Sequence, residues 1–263
     1  MIHSTAIVDK AARLGVGVRI GPYAVVEADV TLGDGCELQP HAVVKQGSEI
    51  DADCLVGHFA VIGGDPQMNG FNHSLSTGVR IGKESLIREH VTVHRSAFEK
   101  KATLVGEKVM LMVGSHVGHD CVIGNQVTLA NAALLAGHVH LADFVFVGGG
   151  AAFHQFVRVG ESAMIGGRAE VSADVPPFLT VVDRNLTCGP NLVGLRRREL
   201  PNESISEIRS LYKKLFMGTE SPPLLAARLL EEAADVKTPE GHRFLEFFAD
   251  GKRGFVRSRT RSK

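Results

Sequence analysis

Aliphatic residues return at every sixth position along most of the chain. The series begins at Ile2 and runs through Val8, Leu14, Ile20, Val26, Leu32, Leu38, Val44, Ile50, Val56 and Ile62. It resumes at Ile81, Ile87 and Val93, then runs again from Val105 through Val117, Ile123, Leu129 and Leu135 to Phe153, Val159, Ile165 and Val171. Two positions earlier sits a second, smaller residue, as at Ala24, Val30, Cys36, Ala42, Ser48, Cys54 and Ala60. A helix needs a period near 3.6, so a six-residue step walks around it and leaves no apolar face. Strand alternation explains the inward pair at i and i−2. A corner in each hexad explains the Gly that often follows, as in "IGPY", "LGDG" and "VGHF". The pattern predicts short strands in a solenoid whose turns bury their apolar beat only by stacking.

Two stretches break the phase and are expected to bulge out as loops, at about residues 63–80 and 95–104. Loops on a rigid scaffold often carry function, tolerated insertion being the plainer alternative. The beat ends at "VSADVPPFL". Beyond it, "NESISEIRSLYKKLFMG", "PPLLAARLLEEAADV" and "TPEGHRFLEFFADG" carry apolar residues at helical spacing, with Ser204 and Glu207 in a capping-box pattern. Residues 1–187 are therefore expected to form the repeat domain and 188–263 a small helical one. The closing "GKRGFVRSRTRSK" reads as a frayed, solvated tail.

Composition narrows the function classes. Twenty-nine basic and 29 acidic residues leave the chain formally neutral, which argues against nucleic acid as the main partner. No apolar run is long enough for a signal peptide or a membrane span, so a cytoplasmic protein is expected. The four Cys (Cys36, Cys54, Cys121 and Cys188) form no CxxC and read as small fillers in a reducing compartment.

The hexad pattern resembles the left-handed parallel β-helix, in which three hexads close one triangular coil. That resemblance implies stacking of positions eighteen apart at ~4.8 Å per coil. The stretch "VGSHVGHDCVIGN" then becomes the focus, because a structural wall has no need of imidazole. Stacking would set His119 over Gly137 and Gln155, with His116, Asp120, His138 and His154 close by. A lone His on a solenoid is ordinarily a polar surface residue, whereas several on one edge suggest a site.

The segments "SHVGHDCVIGN", "LAGHV", "GGGAAFHQFVRVG", "ADVPPF" and "GLRRR" resemble, in this order, those of the UDP-N-acetylglucosamine O-acyltransferase family of lipid A biosynthesis. The similarity extends over nearly the whole chain. It implies transfer of a 3-hydroxyacyl chain from acyl carrier protein, whose phosphopantetheine thioester is the co-substrate, to a UDP-sugar. It implies no further cofactor and no metal. His119 would be the general base, a role that suits an imidazole because it titrates near working pH. Asp120 would orient that ring, or else only cap the turn. The Gly137 N–H would stabilise the oxyanion. Cys121 falls on the inward column, leaving no thiol to relay the acyl group, so direct transfer is expected.

By the same resemblance, Asn69, His116, His138, His154 and Gln155 would contact the sugar nucleotide. Asn191 and Arg197 would reach its nucleotide part across a subunit boundary of a homotrimer, although "LRRREL" alone reads as a solvated basic turn. Gly167 stands where a larger residue would shorten the acyl groove. The first loop departs from the family pattern: Asn69 and Phe71 replace charged acceptor-binding residues, and Val193 replaces a Glu. "GFNHS" is similar to the branch that acylates a 3-amino sugar, so an amide product stays open beside the ester. A γ-carbonic-anhydrase-like zinc site is the more remote alternative.

Overall fold

A computed structural model describes residues 1–232 and 236–259. Among the described residues three sheets of nine, eight and eleven strands, parallel throughout except for one hairpin, form the faces of a left-handed parallel β-helix. Most strands are two residues long and pair with the strand eighteen residues on, as Val25 does with Val43 and His116 with Leu134. The hexad residues from Ile20 to Val171 are almost all buried in one continuous core. Each side chain fully withdrawn from water contributes roughly 1.5–3 kcal/mol before chain entropy is subtracted. Ile2, at the open end of the first coil, is 50% exposed because no coil lies beneath it.

Corners are made by residues in the left-handed region, including Asp120 (φ 60°), His138 (φ 62°) and Phe156 (φ 68°). Each such corner costs on the order of 1–2 kcal/mol, which stacking on both sides offsets. The turn throws these side chains outward along the edge of the prism.

The two interruptions leave from one corner. Val61 pairs with Thr92, 31 residues on, and Thr92 pairs with His116, 24 residues on, instead of the usual 18. The loops are narrower than their sequence limits, 65–77 and 95–101, because Gly78–Ile81 and Ala102–Val105 form four-residue strands paired with each other. Those strands keep their apolar beat inward at Ile81 and Val105, and this pulls the flanking residues back into the ladder.

A hairpin of Leu179–Val182 and Leu186–Pro190 closes the eleven-stranded face. Among the described residues four α-helices follow: α1 (Leu192–Arg197), α2 (Asn202–Met217), α3 (Pro222–Glu231) and α4 (Pro239–Glu246). The Ser204–Glu207 capping box does not form. Pro201 is the cap position of α2; Ser204 donates to Glu240, and Glu207 accepts from the backbone N–H groups of Lys237 and Thr238. Tertiary partners thus claim both side chains, tying α2 to the start of α4. The tail is also more ordered than its composition suggests. Arg257–Ser258 adds a parallel strand beside Leu186–Thr187, and Val256 is buried against the main core. Residues 260–263 of that tail lie outside the described residues. Among the described residues no helix is long and apolar enough to cross a membrane.

Candidate active site

The corner that emits both loops carries the imidazoles. Val117, Leu135 and Phe153 turn inward in successive coils, so the residues just after them stack outward. His138 N donates to the His119 carbonyl at 2.9 Å, and Phe156 N donates to that of Gly137 at 3.2 Å. His119, Gly137 and Gln155 therefore occupy one column, and Asp120, His138 and Phe156 the next.

His119 Nδ1 donates to Asp120 Oδ2 at 2.8 Å. A carboxylate only accepts, so in the neutral ring the proton sits on Nδ1 and Nε2 keeps its lone pair. A Cβ built on Gly137 would lie 2.6 Å from that Nε2. Gly137 thus has no side chain because the His119 ring uses the space. Its own N–H has no acceptor among the described residues. A base lone pair and an unpaired backbone donor therefore lie side by side.

Asp120 is fixed from below by the second loop. Ser96 Oγ donates to Oδ1 at 2.5 Å, and Ala97 N to Oδ2 at 3.1 Å, while Asp120 N donates to Thr103 Oγ1 at 2.8 Å. Burial works to raise the Asp120 pKa, but the hydrogen bonds from Ser96, His119 and Ala97 and the nearby His138 outweigh it and hold it below the usual carboxylate range. The carboxylate thus holds the His119 ring at Nδ1 and knits the corner to the second loop.

His138 packs edge-on to His119 with ring centroids 5.1 Å apart. Phe156 stacks on it at 4.5 Å, and Phe98 of the second loop leans over it at 5.9 Å. Burial depresses the His138 pKa despite the carboxylate of Asp120. His116 sits one strand away, bonded through Nδ1 to Thr92 Oγ1 at 2.8 Å and edge-on to His94 at 4.9 Å. His94 is buried and its pKa is lowered to about 4, first by desolvation and then by His116 and His119. His154 faces the C-terminal segment, its Nδ1 2.9 Å from the Arg253 guanidinium. Gln155 is exposed beside it.

Other sequence candidates lie elsewhere in the single chain. Asn69 is exposed on the first loop. Asn191 caps α1, accepting from Gly194 N at 3.1 Å and donating to the Ser162 carbonyl at 3.0 Å, at the corner one face away from His119. Arg197 is exposed at the end of that helix, and the neighbouring Arg198 lies over the Phe144 ring at 3.6 Å. Gly167 stands at the third corner, where a Cβ would come 3.3 Å from the Gly149 carbonyl.

Sequence reasoning missed the residues that brace the site. Arg95, its side chain only 12% exposed, donates to Asp65 Oδ1 at 2.8 Å and to the carbonyls of Leu75 and His73, fastening the first loop. Ser96 does the same for Asp120. A signal existed: stepping back by the interval that pairs His116 with Thr92 puts Ser96 beneath Asp120. Cys121 is inert, its thiol buried and pushed up to about 12 by desolvation. His119, Asp120 and His138 offer ligand atoms within 4.8 Å of one another, a spacing that invites a metal. The Asp120 oxygens are already taken by three donors, which fits an orienting carboxylate better than a metal ligand.

Residues 174–256 match the family model described as UDP N-acetylglucosamine O-acyltransferase, domain 2, and residues 11–46 match the bacterial transferase hexapeptide model. The chain is 41% identical to the acyl-[acyl-carrier-protein]–UDP-N-acetylglucosamine O-acyltransferase of Janthinobacterium sp. (strain Marseille), over 98% of this chain and 99% of that relative. It is 37% identical to the enzyme of the same name from Campylobacter concisus, over 93% and 94% of the two chains. Among solved structures, LpxA from Acinetobacter baumannii superposes with a TM-score of 0.92 at 33% identity, covering 97% of this chain and 99% of that one. The UDP-N-acetylglucosamine acyltransferase of Campylobacter jejuni gives 0.91 at 33% identity, covering 98% and 100%. This chain belongs to the UDP-N-acetylglucosamine O-acyltransferase family of hexapeptide-repeat proteins.

Proposed function

We propose that this protein transfers a 3-hydroxyacyl chain from acyl carrier protein to the 3-hydroxyl of UDP-N-acetylglucosamine, in the cytoplasm, as an early step of lipid A biosynthesis. One observation carries the reading: the free Nε2 of His119 stands beside the unpaired N–H of Gly137. His119 takes the proton from the sugar hydroxyl as its oxygen attacks the thioester carbonyl. The oxyanion that forms accepts a hydrogen bond from Gly137 N–H, and its collapse expels the phosphopantetheine thiolate. Asp120 holds Nδ1–H and steadies the imidazolium. The acyl group passes directly between substrates, because Cys121 is sealed in the core. No cofactor beyond the carrier-bound thioester enters the scheme.

His116, His138, His154 and Gln155 line the sugar-nucleotide side of this edge, with Asn69 reaching from the first loop. Asn191 and Arg197 lie around the prism from His119, which suits service to a neighbouring copy's site and supports a homotrimer. Gly167 leaves the acyl groove unobstructed.

The test is an acyl-transfer assay of wild type and His119→Ala with both the 3-hydroxyl and the 3-amino sugar nucleotide, across a panel of 3-hydroxyacyl carriers. Robust ester formation that depends on His119 is expected. Turnover of the amino sugar alone would move the acceptor from oxygen to nitrogen.

A further inference from the structure

His154 occupies a hexad position that is small in the coils below it, Gly118 and Ala136. At Gly118 an added Cβ would meet the Ala136 backbone at 2.8 Å, so a large residue fits only where the next coil opens. Above His154 the ladder holds through Val171, whose carbonyl accepts from His154 N at 2.8 Å, and the chain leaves the regular coil only after it. The N–H groups of Ser172 and Ala173 turn away to the Asn185 side chain. The His154 side chain is exposed.

The C-terminal segment supplies a different constraint. Its path is set by Asp174 N donating to the Gly254 carbonyl at 2.8 Å and Val256 N donating back to Asp174 at 3.0 Å. The Asp174 carboxylate, buried, is paired with Arg158 at 2.9 Å. From this strap Arg253 extends across the coil end. Its Nε donates to the Ser172 carbonyl at 3.4 Å, and a terminal nitrogen lies 2.9 Å from His154 Nδ1.

A guanidinium has donors only, so the 2.9 Å contact requires a lone pair on Nδ1. The Gln155 carbonyl lies 3.2 Å from the same nitrogen and could accept only from the opposite tautomer. The two contacts exclude one another as hydrogen bonds, and the shorter, charge-assisted one prevails. The ring proton then resides on Nε2, which bonds to no other described residue. We infer that Arg253 is a positioning residue: from the C-terminal strap it holds His154 as the Nε2–H tautomer and presents that N–H to an acceptor oxygen of the bound sugar nucleotide. The second half of this inference rests on the proposed sugar-nucleotide reading, the first half on geometry alone.

Nitrogen-15 NMR of histidine-labelled wild-type protein, with the His154 signals identified by their loss in His154→Gln, reads the tautomer directly. Protonation at Nε2 is expected, and a wild-type protein protonated at Nδ1 overturns the proposal without recourse to any Arg253 variant. Arg253→Ala should raise KM for the sugar nucleotide by about tenfold with kcat within about twofold, the loss of one well-placed hydrogen bond. Arg253→Lys, which keeps a cationic donor, should recover KM to within about threefold of wild type. In the His154→Gln background, removing Arg253 should change KM by less than about twofold. An undiminished effect in that background, or an unchanged KM in Arg253→Ala, overturns the positioning role. A protein that acylates no sugar nucleotide would defeat the functional reading instead, while the NMR result still decides the Arg253–His154 contact.

Discussion

Two corners of the same prism carry the same hexad position and treat it in opposite ways. At one, Glu107, Asn125 and Asp143 stack in a column. Asn125 Oδ1 accepts from Glu107 N at 2.9 Å, and Asp143 Oδ1 accepts from Asn125 N at 2.7 Å. Asp34 does the same for Val16 N one end away, at 2.7 Å. Short acceptor side chains there satisfy the backbone of the coil below, and the edge is closed. At the other corner the equivalent residues are His119, Gly137 and Gln155. Gly137 has nothing with which to cap the His119 N–H, and Gln155 does not reach the Gly137 N–H among the described residues. The second edge forgoes hydrogen bonds worth roughly 0.5–1.5 kcal/mol each and leaves these donors unpaired among the described residues. Its rigidity comes from the second loop instead, through Ser96, Ala97 and Asp120.

Substitutions that treat the two columns alike should separate them. His119→Ala should lower kcat by ~10²–10⁴, the usual contribution of a general base, with the unfolding midpoint almost unchanged. A residual rate near wild type would remove His119 from the chemistry and leave the open corner unexplained. Gly137→Ala comes next. Its new Cβ would fall 2.6 Å from His119 Nε2, so the ring must move away from the Gly137 N–H, the proposed oxyanion donor. A fall in kcat of about 10² is expected, the cost typical of a displaced oxyanion contact.

The two corners also differ in what acid does to them. His94, beneath the site, is neutral when folded until about pH 4, whereas an unfolded imidazole takes up its proton near pH 6.5. The unfolded chain therefore binds more protons between those values, and stability must fall as pH drops through that window. Denaturant titrations at pH 7 and pH 5 should show this loss. His94→Gln should flatten the dependence, and a variant with the full wild-type slope would place the acid sensitivity elsewhere. The smallest effect belongs to the closed corner. Asn125→Ala uncaps the Glu107 N–H at an exposed edge, so it should cost about 1 kcal/mol or less and leave kcat/KM within about twofold. A large loss of activity would contradict the division of labour between the corners.

The difference between the columns was partly legible in advance. The stacking of His119, Gly137 and Gln155 followed from the eighteen-residue registry, whereas the roles of His119 and Gly137 came from the family resemblance. The bracing residues were harder to see because loops of unequal length displace them. Ser96 meets Asp120 across 24 residues, and Arg95 meets Asp65 across 30. Ser204 and Glu207 show the opposite error, a local capping pattern overridden by partners on α4 and the segment before it.

The sequence by itself determined a stacked solenoid, since a strict six-residue beat buries its aliphatic residues only coil on coil; the left hand of the coil and the eighteen-residue registry that brings His119, Gly137 and His138 to a single edge came from the family resemblance. Only the tertiary structure decided which ring nitrogen of His119 is free, how Asp120 is held, and that the tail docks with Arg253 against His154. Those features depend on side-chain hydrogen bonds between segments whose separation is set by loops and helices with no period. Such contacts are chosen by the free energy of the assembled fold, and no local pattern encodes them.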